Sequence, residues 1–484
     1  MKKFYILFLL LPFQVFSQIS LNWTDTLVVN RFTPNAFTRP KIALTKNNVP
    51  VVMWGRKPNQ RVFVSRFDGA VFAQSSQITP ANVNAFVEDW LGPDMAASGD
   101  TVFVVFKSQP EMDGFVYSVR SVNGGASFSD TVRAYPSNYS RFPAVAVAPG
   151  GKPYVTFMTF NSSWGGAQFA VVTSNDGGIS YQAEVEASTN APGEVCDCCP
   201  GFIGAETNNF VYSLFRNNDN NLRDIWASVS TNAGASFAAS SDIDNSNWMI
   251  NGCPSTGPDA YVKGDSIVTA WMSGANGSSR IYIGTAHKNT LAVGLNAMLS
   301  PGVSSMANQN YPKVAGNGDT LGVVWQESQM GSTIIKFIYS VTGPAGLLNQ
   351  VADTVSINFS GAQKNPDLAF ANGTFYFVWQ DDNMQAVTYR TATISGTTKV
   401  KETKLENHYS LYPNPVNDKL NIQFYNELKD GKITLIDYAG KTVFTKKISS
   451  EIEMISTEEF SEGIYILSIE TPVFTKREKI VVKR

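Results

Sequence analysis

Four cysteines, Cys196, Cys198, Cys199 and Cys253, carry the most readable chemistry in this 484-residue sequence. In an oxidising compartment such a group pairs as disulfides, and for an exported chain that is the expectation here. The connectivity is left open by the spacing, with a bond between the Cys196–Cys199 group and Cys253 as the expected link. As thiolates, three or four of them converging on one point would instead hold a soft cation, copper(I) or zinc. Histidine adds little, because only His287 and His408 are present. Histidine metal sites and Ser/His triads are thereby nearly excluded, and no cofactor is expected.

For Cys253 to reach the others, the chain must bring together two points 54 residues apart, and it carries a repeat of about that length. The unit is clearest in Tyr311-Pro312-Lys313-Val314-Ala315, a Gly/Asn/Asp turn, and Leu321-Gly322-Val323-Val324-Trp325. Its proline recurs at Pro40, Pro93, Pro143, Pro200, Pro258, Pro312 and Pro366, at intervals of 50 to 58 residues. A closing aromatic follows each proline by 13 to 15 residues: Trp54, Phe106, Phe157, Phe215, Trp271, Trp325 and Trp379. Two short strands joined by a tight turn span that distance. Units of this length, each an antiparallel sheet that cannot bury both faces alone, stack radially as propeller blades. Proline suits the start of the innermost strand, where no ladder donor is needed. Seven blades are expected over residues 18–395, or six if one repeat is distorted. Residues Ser20 to Val29, with Trp23, read as one strand that closes the ring against the short last repeat. Cys199 and Cys253 then precede the inner strands of the fourth and fifth repeats, so both loops should share one face.

The bulk composition agrees with strands and turns: 43% hydrophobic and only 16% charged residues, with 37 Gly and 23 Pro. A net charge of -2 gives no reason to expect nucleic acid. Met1-Lys2-Lys3 followed by an apolar run from Phe4 to Phe16 and Ser17 describes a secretory signal peptide at 1–17. No later segment is long and apolar enough for a transmembrane helix, so the mature chain should start near Gln18 outside the cytoplasm. Residues 396–410 turn polar and read as a linker.

Three repeats carry a tighter motif between their third and fourth strands: Ser121 to Phe128, Ser174 to Tyr181 and Ser230 to Phe237. An Asn or Asp caps its own turn, glycine takes the left-handed position, and an aromatic closes the hairpin. This S-x-D-x-G-x-x-W/F pattern resembles the Asp-box, or BNR repeat, of the sialidase-like propellers. In that family three arginines grip a substrate carboxylate, a tyrosine activated by a glutamate is the nucleophile, and an aspartic acid assists departure. The resemblance implies Tyr311, Glu194 and Asp89 as catalytic residues, and Arg39, Arg216 and Arg280 as substrate-binding ones. The family's F/Y-R-I-P start is only Thr38-Arg39-Pro40-Lys41 here, and Tyr311 occupies the residue before a scaffold proline. The C-x-C-C and G-C-P segments are similar to those of a subset of these exported proteins, many of which have histidine where Ser255 stands.

From Leu411 the chain reads Tyr412-Pro413-Asn414-Pro415, an Asp437-x-x-Gly440-Lys441 hairpin, Gly463-Ile464-Tyr465-Ile466-Leu467 and a basic end, the alternation of a small β-sandwich. This order resembles the type IX secretion sorting domain and covers 411–484. It implies passage through the periplasm, contact with the type IX machinery, and a secreted or outer-membrane cell-surface destination. Two functions are compatible with these features: a propeller that recognises glycans or another extracellular protein through its axial face, or a divergent exo-α-sialidase.

Overall fold

The computed structural model describes residues 20–31, 39–299, 306–329, 331–357, 361–395, 409–424, 431–437, 440–471 and 475–484. The expected signal peptide, 1–17, and all but the last residues of the expected linker, 396–408, lie outside the described residues. Two compact units result, Met1–Gly396 and Thr397–Arg484. The described residues are organised as strands, with two short 3-10 helices.

The first unit is a series of antiparallel sheets taken in chain order. Sheet one runs Lys41–Leu44, Pro50–Arg56, Arg61–Arg66 and Ser76–Gln77, each strand bonded to the next. Sheets two to six repeat this plan with first strands Asp94–Ser98, Ser140–Val147, Phe202–Ala205, Asp259–Lys263 and Asn308–Asn317. Sheet seven contains Gln363–Ala371, Thr374–Asp381 and Ala386–Ser395. Two early strands, Ser20–Trp23 and Leu27–Arg31, complete it by pairing with Ala386–Ser395, so that Ser20 stands opposite Ser395. First strands of neighbouring sheets pack together around a circuit in which the seventh meets the first. The arrangement is β-propeller-like, and sheet edges that face one another in the ring are not left to solvent.

The second strand of each sheet is buried on both faces, because each sheet is covered by two neighbours. That is why runs such as Val102-Phe103-Val104-Val105-Phe106 are continuous rather than alternating; all five are enclosed. The seven repeat aromatics lie on these strands and are each at most 1% exposed. Truncating one to alanine would cost about 3–5 kcal/mol. The Ser174 to Tyr181 hairpin fastens its sheet to the preceding one. The Asp176 carboxylate accepts from Ile179 N (3.0 Å), Ser180 N (2.9 Å) and the Ser174 hydroxyl (2.7 Å). Gly178 of this hairpin lies so near Phe103 of the preceding sheet that a Cβ would stand 2.4 Å from the ring. The Asn123 and Asn232 hairpins repeat two of these bonds, from the serine hydroxyl and from the amide four residues on.

One departure from ladder geometry recurs where the sheets approach the axis. The first strands of sheets three, six and seven skip register at Arg141/Ala144, Asn310/Lys313 and Lys364/Asp367. The residue before the proline takes a left-handed backbone there: Phe142 (φ 55°), Tyr311 (51°) and Asn365 (50°), with Arg39 (48°) alike in sheet one. A bulge of this kind re-aims a side chain, and non-glycine residues adopt it at a cost.

The second unit has two antiparallel sheets. One holds Tyr409–Tyr412, Lys419–Phe424 and Ile452–Ser456; the other holds Thr442–Lys447, Lys432–Ile436, Gly463–Glu470 and Thr475–Val482. Both contribute to one enclosed cluster that includes Leu420, Ile422, Leu435, Ile455, Leu467 and Ile480.

Candidate functional site at the axis of the ring

A cavity of about 320 Å³ occupies the centre of the ring, and all seven repeat prolines line it. The residue after the proline is charged in five sheets: Lys41, Asp94, Asp259, Lys313 and Asp367. These charges join neighbouring sheets. Lys41 pairs with Asp94 at 3.1 Å and Lys313 with Asp259 at 2.9 Å. Each aspartate also accepts the second amide after the next sheet's proline: Asp94 from Val145 (3.0 Å), Asp259 from Val314 (2.8 Å) and Asp367 from Ile42 (2.8 Å). Burial opposes ionisation of Asp94, but Lys41 and Lys313 outweigh it and hold the carboxyl below its ordinary range. At Asp367 burial wins over the same two lysines, and the carboxyl is pushed up. This inner ring is internally satisfied and acts as a set of inter-sheet ties.

Above it, where the inner strands begin, the bulged positions gather Arg39, Tyr311 and Asn365. The half-buried Arg39 donates from Nη1 to the Asn365 Oδ1 (2.8 Å) and to the Asp89 carbonyl (3.2 Å). Its guanidinium lies 5.0 Å from the Tyr311 ring centroid. Asn365 is fixed in turn by its backbone N–H, which donates to Gln326 Oε1 at 3.1 Å. Among the described residues, Nε and Nη2 of Arg39 have no protein acceptor. Such an edge can receive a carboxylate or sulfate through two parallel bonds. Trp90 packs edge-on against Phe142, the left-handed residue of sheet three.

Of the six residues expected in catalysis and substrate binding, the structure brings Arg39 and Tyr311 together, with Asp89 adjacent through its backbone. Arg216 is elsewhere: fully enclosed, it donates to the carbonyls of Arg223 (2.6 Å), Met272 (2.6 Å) and Thr256 (3.4 Å). Arg280, also buried, donates to the carbonyls of Ser279 and Ala307. Neither lines the cavity, and each is occupied in joining strands. Glu194 is exposed, on the two-residue strand Glu194–Val195 opposite Asn218. Among the described residues no carboxylate is hydrogen-bonded to the Tyr311 hydroxyl. Burial raises the Tyr311 phenol above its ordinary value, with Asp89 adding to this and Arg39 opposing it. Asn365 and the charged ring went unassigned in the sequence, although their fixed position beside a repeat proline was a usable signal.

The four cysteines stand unpaired in the structure, so the expected disulfides are not shown by it. The Cys196 and Cys198 sulfurs are 3.6 Å apart, well beyond the about 2.05 Å of an S–S bond. Cys199 N donates to Cys196 O (3.0 Å), closing a turn that directs three sulfurs inward, all within 4.8 Å of one another. From the next sheet's loop Cys253 brings its sulfur within 4.8 Å of Cys198 and of an Asp197 oxygen. Arg223 donates to Cys196 Sγ at 3.0 Å and to the Ile250 carbonyl at 3.3 Å, spanning both loops. Hydrogen bonds from the other two thiols, together with Arg223 and Arg216, hold Cys196 well below the usual thiol range against its burial. Its partners shift the opposite way: Cys198 is raised by its bonds to Cys196 and Cys199 and by burial, and Cys199 first by burial.

No curated protein matches the chain. Solved structures similar to it include a protein of unknown function from Dyadobacter fermentans (13% identity, 65% of this chain and 97% of that one, TM-score 0.43). Others are an ulvan lyase of polysaccharide lyase family PL25 (9%, 76% and 95%, 0.49) and an α-L-arabinofuranosidase from Fusarium graminearum (12%, 66% and 97%, 0.43). Among the described residues no helix is long and apolar enough to cross a membrane. Residues 410–483 match the family described as Secretion system C-terminal sorting domain. The second unit therefore carries a type IX sorting domain that engages the secretion machinery, and the chain is delivered to the cell surface or secreted.

Proposed function

We propose that this chain is an exported seven-bladed propeller of the sialidase-like, Asp-box type, followed by a β-sandwich sorting domain, and that it binds an acid-bearing glycan at its axis without cleaving it. One observation carries this. Arg39 is clamped by Asn365 and the Asp89 carbonyl and faces Tyr311, yet one edge of its guanidinium has no protein acceptor among the described residues. A fixed, charged fork beside an aromatic face suits the carboxylate and ring of an acidic sugar.

Hydrolysis by a tyrosine nucleophile needs a base in hydrogen-bond reach of its hydroxyl. Glu194, the residue expected in that role, is bonded into another part of the ring's surface, and burial strengthens the phenol's hold on its proton. The alternative, a divergent exo-α-sialidase, rests on the contact between Arg39 and Tyr311. Equilibrium binding of sialylated, uronic and neutral oligosaccharides, run beside release of a fluorogenic sialoside, separates the two. Binding of acidic but not neutral sugars, lost in Arg39→Ala and without turnover, is the expected result. Turnover abolished by Tyr311→Phe would establish the hydrolase instead.

A further inference from the structure

We infer that Cys196, Cys198, Cys199 and Cys253 form a four-sulfur site for one zinc(II) ion, placed where the entry loops of sheets four and five meet. The spacing is the first reason. Zinc–sulfur bonds of about 2.3 Å set tetrahedral sulfur–sulfur edges of about 3.8 Å. Cys196 and Cys198 stand at 3.6 Å, and Cys199 completes a face of the tetrahedron within 4.8 Å of both; Cys253 lies within 4.8 Å of Cys198 only, and its exposed loop must draw in to supply the fourth vertex. A disulfide within this triad would leave the third sulfur with only Cys253 or a cation as a partner.

The surroundings supply the second reason. Four thiolates on zinc(II) leave a net charge of -2, which a protein offsets with N–H donors to sulfur. Arg223 is such a donor, and its second bond to the Ile250 carbonyl ties the Cys253 loop to the Cys196 loop before any ion enters. The backbone is equally committed: a Cβ at Gly257 would stand 2.0 Å from the Pro200 carbonyl, so only glycine allows the two loops this close. Cys253 is exposed while Cys196 and Cys199 are enclosed, giving the ion a route of entry. Binding displaces to solvent whichever protons the four sulfurs still carry, and no electron is transferred. Because Pro200, Thr256 and Gly257 line the axial cavity, the ion would fix one wall of it.

The test uses the full-length protein, purified under reducing conditions and dialysed against zinc. Elemental analysis should find one zinc per chain, and the four thiols should react with a thiol reagent only after a chelator is added. Cobalt(II) in place of zinc should give the thiolate-to-cobalt charge-transfer band. Cys253→Ser, on the exposed loop, should weaken zinc binding at least tenfold while the far-UV spectrum is unchanged. Arg223→Gln should weaken it by roughly 10- to 100-fold. Four freely reactive thiols in the presence of zinc would overturn the site. So would mass spectrometry of the exported protein showing these cysteines joined as disulfides.

Discussion

The two sides of the axial mouth use arginine in opposite ways. Where sheets four and five meet, Arg216 is fully enclosed and its donors end on three backbone carbonyls. Where sheets six, seven and one meet, Arg39 is half-buried and held through a single nitrogen, and the rest of its fork has no acceptor among the described residues. The two occupy different places in the repeat. Arg216 follows the closing aromatic of a second strand, inside the packing between sheets, whereas Arg39 precedes the proline of a first strand, at the bulge that turns a side chain to the axis. An arginine in a repeat protein is read by its phase, not by its presence.

The contrast can be broken at several points. Replacing Arg216 by Met should destabilise the ring by about 3–5 kcal/mol, since it orphans buried carbonyls and leaves Asp224 and Asp244 without a compensating charge. Chemical denaturation measures this, and an unchanged midpoint would remove the distinction between the arginines. Arg39→Ala should leave that midpoint within about 1 kcal/mol of the wild type. It should nevertheless lower affinity for an acidic oligosaccharide roughly 10- to 100-fold, the worth of charge-assisted bonds.

A pH titration sharpens the same comparison. Burial, reinforced by Asp244, raises Asp224 to about 6; burial, with Asp224 and Asp244, raises Asp242 to about 7. In the unfolded chain these carboxyls ionise near about 4. Between those values the folded state keeps protons that the unfolded state has released, so stability is highest below about pH 4 as far as these groups are concerned and falls as pH rises to about 7. The loss should be on the order of 2 kcal/mol for Asp224, and Asp224→Asn should flatten the profile. The smallest effect is expected on the rim: Ser174→Ala removes an enclosed hydroxyl bonded to Gly178 N (2.7 Å) and Asp176, costing about 1 kcal/mol with no change in ligand binding.

Much of the scaffold was legible because it is periodic. Pro312 and Trp325 fix a phase, and the same two residue types at that phase mark a cavity wall and an enclosed core position in the other repeats. Pairing of the early segment with Ala386–Ser395 followed from the shortness of the last repeat, although the one strand expected over Ser20 to Val29 is two, Ser20–Trp23 and Leu27–Arg31. The site was less legible, since it depends on which way single side chains turn. Arg280 fits a family's order of arginines yet satisfies carbonyls of its own neighbourhood. Asn365 has no distinctive chemistry in sequence, and gains its role only because the left-handed bulge puts it beside Arg39. For the cysteines, compartment and spacing left disulfides and a thiolate cation site both open; that three sulfurs share one turn is a matter of backbone geometry that composition does not contain.

Strand Ser20–Trp23 lies alongside the strand ending at Ser395, although 375 positions separate the paired serines. Polypeptide thus enters and leaves the wheel at neighbouring points, and the join between them is a ladder of hydrogen bonds rather than a covalent link. Cutting the wheel between any other two sheets and sewing these ends together should yield a circularly permuted protein with the same interior, whose non-covalent seam has merely moved.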